Sequence, residues 1–329
     1  MHFCTYFDHR YLPRGLALYY SLKRHRPDVV LWVLCLSTQC ANLLALLNLP
    51  DVRIIDLAAL EHFDPELPTS KSSRTLIEYY FTCSPCLPRY VLTLEPGIDR
   101  ILYVDSDFYF YSDPEPIIAE AGSASVAITP HRFTARSIKT HGKFGRYNVG
   151  LMMFRNDDRG LRCLDWWRAQ CLEWCRDHVD PSSGRYADQG YLDHFHEIEP
   201  STHAIAHRGV NLAPWNIADS RLTQVGDLPF VDGRALICFH FQGLKRLDDG
   251  RFNSNLTPYG ARLDAVSREL IYKPYIRELS AVLESLAERG LIESVGSGIR
   301  KPSRPERLQR LKESLGLYRA LIAGNLITP

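Results

Sequence analysis

The chain has 329 residues, with 39 Lys or Arg against 38 Asp or Glu and a formal net charge of +1. So balanced a charge gives no overall attraction to nucleic acid, and any electrostatic specialisation has to be local. The length suits one large α/β domain, or a domain with a C-terminal appendage, and no apolar stretch approaches the roughly 18 residues needed to span a bilayer.

The first half alternates strand and helix. Residues 2–6 read as a strand entered straight from Met1, without the basic and apolar regions of a signal peptide. Residues 12–25 read as a helix with Pro13 in its first turn, and residues 29–36 as a strand covered on both faces. A helix over 39–47 and a short strand over 52–56 follow. Residues 76–94 form a longer, aromatic-rich helical segment that Pro85 and Pro88 are expected to interrupt. Residues 100–104 make an apolar strand ending at Asp105. A short helix starts near Pro114, and residues 125–129 form another strand. Repeated β-α-β units of this kind predict a mainly parallel, Rossmann-like mixed sheet with helices on both faces. Ligands in such sheets bind beyond the carboxyl ends of the strands. Residues 105–107 and 5–8 fall at such ends.

The second half is less regular. Residues 147–154 read as a strand. Residues 157–176 read as an amphipathic helix, with Leu161, Leu164, Trp167, Cys171 and Trp174 at helical spacing. Residues 236–240 read as a strand. From about residue 259 the chain reads as helical, broken at Pro274 and around 290–305. The expected division is therefore a domain of residues 1–258 and a helical extension of 259–329. Nine cysteines follow no disulfide framework, which points to a reducing compartment. The close pairs Cys83/Cys86 and Cys171/Cys175 have zinc-like spacing, but both sit in helical runs where buried apolar packing is the simpler reading. A cytoplasmic location is expected, or a peripheral one on the inner face of the cytoplasmic membrane.

The central chemical signal is Val104-Asp105-Ser106-Asp107-Phe108. A buried strand runs into two carboxylates one residue apart. Such a pair repels itself and is expensive to bury. A divalent cation resolves both problems, and carboxylate oxygens suit Mg²⁺ or Mn²⁺. The competing reading is a polar turn after a strand. His240, after the apolar run Cys238-Phe239, can supply a nitrogen ligand, which tilts the choice towards Mn²⁺; a structural histidine is the plainer alternative. In the same loop Gly243 lets the backbone approach a phosphate, and Lys245 offers it a point charge. Asn148 and Gly150 stand at a strand entrance, where they serve a turn or a sugar. Asp188 and Gln189 head a short helix, where Asp188 serves as an N-cap or faces a ligand. The basic loop 130–146 reads as a lid, an acceptor wall or a solvated loop, and Trp215 as a sugar-stacking or a buried ring.

In order and spacing these motifs resemble the family 8 glycosyltransferases of the GT-A fold, and more closely a group of bacterial nucleotide-sugar transferase-like proteins. The match runs from about residue 3 to 245 and includes Phe3-Cys4-Thr5-Tyr6-Phe7-Asp8, Asp105-Ser106-Asp107, Asn148-Val149-Gly150, Asp188-Gln189, Asn211-Leu212-Ala213-Pro214-Trp215-Asn216 and His240/Gly243/Lys245. The resemblance implies a UDP-sugar donor, a carbohydrate or lipid-linked acceptor, Mn²⁺ (or Mg²⁺), and retention of anomeric configuration. It implies that Thr5 and Asp8 lie by the base and ribose. It further implies that Asp105, Asp107 and His240 bind the metal with the donor diphosphate, beside Ser106. Asn148, Gly150, Asp188 and Gln189 would face the donor sugar, with Asp188 and Gln189 as the catalytic pair, and Gly243 and Lys245 the phosphates. Two departures stand out. The family loop reads His-x-x-Gly-x-x-Lys-Pro-Trp, whereas Lys245 comes one residue early. The family also carries a donor-binding arginine in the helix before the metal-site strand, and neither Arg74 nor Arg89 aligns with it.

Ser303-Arg304-Pro305-Glu306 reads as a capping box opening a helix with an apolar stripe of Leu308, Leu311, Leu315, Tyr318 and Ile322. Residues 300–319 carry seven Lys or Arg against two Glu. Such a helix either docks on the domain or lies on an anionic membrane surface. Two further functions stay open beside the transferase. A sugar-nucleotide-forming nucleotidyltransferase is disfavoured, because a Gly-rich basic loop should follow the first strand where Asp8-His9-Arg10-Tyr11-Leu12 stands. A non-catalytic sugar-nucleotide-binding module is disfavoured by the intact carboxylates.

Overall fold

In the computed structural model, which describes residues 1–295 and 307–329, the chain opens with three strand-helix units. These are β1 (His2–Phe7), α1 (Leu12–His25), β2 (Val30–Cys35), α2 (Thr38–Leu47), β3 (Val52–Asp56) and α3 (Leu57–Phe63). The long α4 (Leu76–Leu94) leads into β4 (Arg100–Val104), β5 (Phe108–Phe110), α5 (Glu115–Ala121) and β6 (Val126–Pro130). After α6 (Ile138–His141) come β7 (Tyr147–Arg155), α7 (Asp158–Glu173), α8 (Phe195–Ile198) and β8 (His203–Ala204). All these strands but β5 form one sheet in the order β3-β2-β1-β4-β7-β6-β8. Its pairs are parallel except β4–β7 and β7–β6. This is the mainly parallel mixed sheet of the GT-A fold that the sequence predicts.

The period-two alternation of strand side chains divides the core between the two faces. In β2, Leu31, Val33 and Cys35 join one core with Leu16, Leu22 and Leu43 of α1 and α2. Trp32 and Leu34 join the other with Leu87, Val91, Leu164 and Trp167 of α4 and α7. Both faces are covered, so the strand reads as a continuous apolar run. All nine cysteines are free and buried.

One expectation fails on α4. The helix runs unbroken through Pro85 and Pro88, although each proline removes a donor and crowds the turn before it. Its start is fixed by a capping box between Thr75 and Glu78. Side chains also bridge single turns: Thr82 donates to the Glu78 carbonyl, Cys83 to Tyr79 and Cys86 to Thr82. Both prolines are buried, so tertiary packing overrides the local penalty.

Beyond β8, β9 (Leu222–Val225), β10 (Leu228–Val231) and β11 (Arg234–Ala235) make a small antiparallel sheet. β12 (Cys238–His240) pairs with β5, and β13 (Lys245–Arg246) with β14 (Phe252–Asn253). A π-helical segment, Ser267–Tyr272, runs into α9 (Lys273–Glu288), with Pro274 in its first turn. Pro274 thus opens an α-helix, a place where its missing N–H costs nothing. Then follow α10 (Ile292–Val295), α11 (Arg307–Ile322) and β15 (Leu326–Ile327). β15 pairs with β14, so the predicted helical extension ends in a strand. Tyr275 stacks on Phe241 at 3.9 Å and 18°, which ties α9 to the loop after β12. The capping box predicted at 303–306 lies outside the described residues.

Candidate active site

The site forms where β4, β7 and the β5–β12 pair converge. β4 ends at Val104, but Asp105 N still donates to Gly150 O of β7 at 2.9 Å. The chain then turns, with Phe108 N on Asp105 O at 3.2 Å, into β5. β12 lies antiparallel to β5 with His240 opposite Phe108, and Phe241 N donates to Asp107 O at 2.9 Å. This register brings His240 Nε2 to 3.1 Å from Asp107 Oδ1 and 3.8 Å from Asp105 Oδ2. One ligand atom from each of Asp105, Asp107 and His240 lies within 4.8 Å of the others, and among the described residues no other such group of three occurs. Metal–oxygen bonds of about 2.1 Å place neighbouring ligands roughly 3 Å apart and opposite ones about 4.2 Å apart. The three atoms therefore fit one divalent cation with a small inward movement.

The electrostatics agree with that fit. Burial pushes Asp105 up to about 6; the charge of Asp107 adds to this, while His240 and the Tyr103 hydroxyl oppose it. Tyr103 OH donates to Asp105 Oδ1 at 2.8 Å. Burial also works to raise Asp107, but the adjacent His240 and the Arg14 guanidinium outweigh it and hold Asp107 below the usual carboxylate range. Two carboxylates facing the cleft and a buried imidazole make a ligand set suited to Mn²⁺ or Mg²⁺.

Gly150 is what lets these groups meet. A Cβ there would lie 2.6 Å from Asn148 Oδ1 and 2.8 Å from both Cε1 and Nδ1 of His240. Asn148 Oδ1 accepts from Gly150 N at 3.1 Å, and its Nδ2 donates to Gln189 Oε1 at 3.0 Å. The Gln189 carbonyl oxygen also accepts from Val149 N at 3.4 Å, and its Nε2 donates to Phe144 O at 2.8 Å. Its amide is thus engaged on both sides. Ala187 adopts a left-handed φ of 45°, a turn that presents Asp188 to the cleft. Trp167 of α7 donates its indole N–H to Asp188 O at 2.8 Å. Asp188 stands at the N-cap position, yet its side chain makes no capping hydrogen bond. Burial pushes its carboxyl up to about 7, with Asp105 adding and Ser84 opposing.

Asp105, Asp107, Asn148, Asp188, Gln189 and His240 all line one cleft of about 420 Å³. Other predicted site residues lie elsewhere. Thr5 is fully buried in β1, and its hydroxyl has no partner. Asp8 caps the turn into α1 by accepting from the backbone N–H groups of Arg10 and Tyr11. Ser106 is buried between the two carboxylates. Gly243 has a φ of 74°, and a Cβ there would collide with Asn255. Lys245 is exposed in β13. Arg74 bonds Thr82 and the Leu172 carbonyl, and Arg89 pairs with Asp165; neither lines the cleft. Asn211 and Asn216 brace the wall behind it, through Thr129 Oγ1 and the His131 carbonyl.

Sequence reasoning misses Arg14, Tyr186 and Tyr259. Arg14 donates to Leu244 O at 2.6 Å and stands near enough to Asp107 to lower its pKa. Its position in the first turn of α1 opposes the helix dipole, which was a readable sign of an anionic neighbour. The mouth is aromatic: His131 stacks on Phe133 at 4.4 Å and 12°, His141 lies 4.5 Å from Tyr259 and Phe144 4.6 Å from Tyr186. Trp215 is set edge-on to His240 at 5.2 Å. Loop 130–146 is thus a wall of the cleft through Phe133, His141 and Phe144.

No protein-family model matches the chain. Two Bacillus subtilis (strain 168) proteins do. The uncharacterized protein YfnF is 32% identical over 250 residues, 74% of this chain and 81% of its own. The uncharacterized protein YfnD is 30% identical over 285 residues, 87% of this chain and 90% of its own. Among solved structures, the galactosyltransferase LgtC in complex with donor and acceptor sugar analogues aligns over 85% of this chain and 96% of its own. The TM-score is 0.52 at 16% identity. An active-site Gln-to-Glu mutant of LgtC aligns over 87% and 96%, with a TM-score of 0.51 at 15% identity. At that identity the likeness is one of fold.

Proposed function

The chain belongs to the family of the Bacillus subtilis proteins YfnF and YfnD, and from the groups gathered in its cleft we propose that it is a metal-dependent glycosyltransferase. It moves a sugar from a nucleoside-diphosphate donor, a UDP-sugar, to a carbohydrate or lipid-linked sugar acceptor. The observation that carries this reading is the Asp105/Asp107/His240 group at the end of a central strand, opening on the same cleft as Asn148, Asp188 and Gln189. LgtC, a galactosyltransferase with this fold, supports it.

Asp105, Asp107 and His240 would hold Mn²⁺ (or Mg²⁺). When bound, such an ion takes up the charge that develops on the departing diphosphate. The chain's own residues supply orientation and a fixed electrostatic environment. Arg14, near enough to Asp107 to lower its pKa, would add positive charge beside the diphosphate, as would Lys245 from its loop. Asn148 and Asp188 hold sugar hydroxyls, and Gln189 fixes Asn148. Glycosyl transfer passes through an oxocarbenium-like state. With the Gln189 amide engaged on both sides and a poor nucleophile, we favour attack from the leaving-group face. The acceptor oxygen bonds the anomeric carbon as the C–O bond to diphosphate breaks, and a phosphate oxygen takes the acceptor's proton. Configuration is retained. The aromatic mouth offers flat faces for the acceptor ring.

No described helix is long and apolar enough to cross a membrane. On α11, however, Leu315, Leu317, Tyr318, Leu321 and Ile322 are 37–67% exposed. An apolar face beside a run of seven Lys or Arg against two Glu favours contact with an anionic bilayer, where lipid-linked acceptors reside.

A panel of nucleotide-sugars with Mn²⁺, scored for slow donor hydrolysis, tests the assignment. Released UDP supports transfer. Pyrophosphate release from a nucleoside triphosphate and a sugar phosphate would replace it with the nucleotidyltransferase, and binding without turnover with a binding module.

A further inference from the structure

The loop between β6 and β7 carries an unbalanced charge. Residues 121–156 contain no Asp or Glu, while residues 130–146 hold five Lys or Arg. Two of these are committed to the fold. Arg132 donates to the carbonyls of His207 and Val210, and the Arg146 backbone N–H donates to Asp193, with its guanidinium over the Tyr147 ring. Arg136, Lys139 and Lys143 are exposed, and among the described residues none of the three makes an ion pair. Helical hydrogen bonds run through the segment, from Ile138 N to Thr134 O and from His141 N to Ser137 O, both at 2.9 Å. At that spacing the three cations share one face, where like charges three and four residues apart repel. Phe133, His141 and Phe144 of the same segment line the cleft. Arg136 packs on Gly260, where a Cβ would collide with its guanidinium, beside the cleft residue Tyr259. Phe144 O accepts from Gln189 Nε2 at 2.8 Å, so the loop borders the sugar end of the cleft rather than its metal end.

We propose that Arg136, Lys139 and Lys143 bind a phosphate carried by the acceptor, whose sugar ring lies on the aromatic mouth beside them. That the anion belongs to an acceptor rests on the glycosyltransferase reading; that the loop binds a phosphate does not. Three cations on one face repel until an anion enters among them, and a phosphate takes charge-assisted hydrogen bonds from all three. The donor's diphosphate has its own place at the Asp105/Asp107/His240 group, so the loop serves a second anion. A sugar joined through diphosphate to a lipid and a phosphate ester on a soluble glycan both present this group. A neutral glycan does not.

The test compares the full chain with a triple variant, Arg136→Gln, Lys139→Gln and Lys143→Gln, whose thermal melt should hardly move because the side chains are exposed. With UDP and Mn²⁺ filling the donor end, at low salt so that screening is small, hexose 1-phosphates, the matching methyl hexosides and prenyl-diphosphate-linked hexoses are titrated in turn. The wild-type chain should bind the phosphates at least about tenfold more tightly than the methyl hexosides. The triple variant should lose that preference and keep its affinity for UDP. Tighter binding of the prenyl-linked sugars than of the 1-phosphates supports the proposal with a lipid-linked source, and equal binding supports it with a soluble one. No preference for phosphate in the wild type, a preference retained by the triple variant, or UDP affinity lost along with it would overturn the proposal. So would a triple variant that loses only its binding to phosphatidylglycerol vesicles, which would make the loop a bilayer contact. If the wild-type chain neither binds UDP with Mn²⁺ nor turns over a nucleotide-sugar, the glycosyltransferase reading fails. The same titrations without UDP and metal then decide the phosphate site by the same two results.

Discussion

Gly150→Ala is a one-carbon perturbation whose effect can be worked from distances. The new methyl would stand 2.6 Å from Asn148 Oδ1 and 2.8 Å from two His240 ring atoms, where ordinary contact begins at 3.4 Å. Each neighbour must retreat by roughly 0.6–0.8 Å to relieve the overlap. His240 is hemmed in by Phe108 at 4.3 Å and Trp215 at 5.2 Å, so part of the displacement must appear at Nε2. Metal–ligand distances tolerate only about 0.2 Å, and losing even an outer support of a metal ligand typically costs about 10–100-fold in affinity. We therefore expect Mn²⁺, titrated calorimetrically in the presence of UDP, to bind at least tenfold more weakly to Gly150→Ala. Turnover should fall about 100-fold, as for a 1 Å misplacement of a reacting group. Overpacking should destabilise the fold by about 1–3 kcal/mol, so the titration is run well below the variant's melting temperature. A folded Gly150→Ala that binds Mn²⁺ and UDP like the wild type would refute the argument that this glycine makes room for the ligand set.

Asp105→Asn should abolish metal-dependent donor turnover, a loss of at least about 100-fold. It should nonetheless leave the metal-free protein as stable or more so in a thermal melt, because it removes a buried charge beside Asp107. Two site carboxyls give the pH dependence a sign of their own. Burial pushes Asp105 up to about 6 and Asp188 up to about 7 in the folded chain, against about 3.9 when unfolded. At these two groups the folded state holds extra protons between about pH 4 and 7, and the stabilisation they represent is lost as pH rises through that window, while buried His131, pushed down to about 3, works in the opposite direction up to about pH 6.5. Mn²⁺ requires ionised carboxylates, so the rise in Tm on adding Mn²⁺ should be larger at pH 7.5 than at pH 5, and the reverse order would count against the site. Leu321→Glu or Tyr318→Asp on α11 should reduce flotation with anionic vesicles at least several-fold. Stability should move by no more than about 0.5 kcal/mol, because these side chains are exposed.

Which features could be read ahead of the structure depends on how local their causes are. The apolar runs of β2 and β4 reveal covered strands, and the carboxylates after Val104 mark a candidate metal-ligating pair at a strand end. His240 is different. Its place beside Asp107 depends on the antiparallel register of β12 on β5, and local pattern alone leaves it as readily structural; only resemblance to known enzymes points to it. Trp167 is legible as a core residue from its spacing on α7, but nothing local indicates that its indole N–H holds the Asp188 carbonyl. Pro85 and Pro88 mislead because burial and side-chain bridging outweigh their local penalty. Lys245, offered as a phosphate cation although one residue early for the family loop, lies exposed in β13, while Arg14 stands near enough to Asp107 to lower its pKa.

The claim on which the rest depends is that Asp105, Asp107 and His240 carry the diphosphate through a divalent cation. Titrating UDP into the full chain with Mn²⁺ and then with EDTA tests it most directly. Binding that appears with Mn²⁺, vanishes with EDTA and is absent from folded Asp107→Asn is the predicted result. Equal UDP affinity with and without the metal, or no UDP binding under either condition, would contradict it.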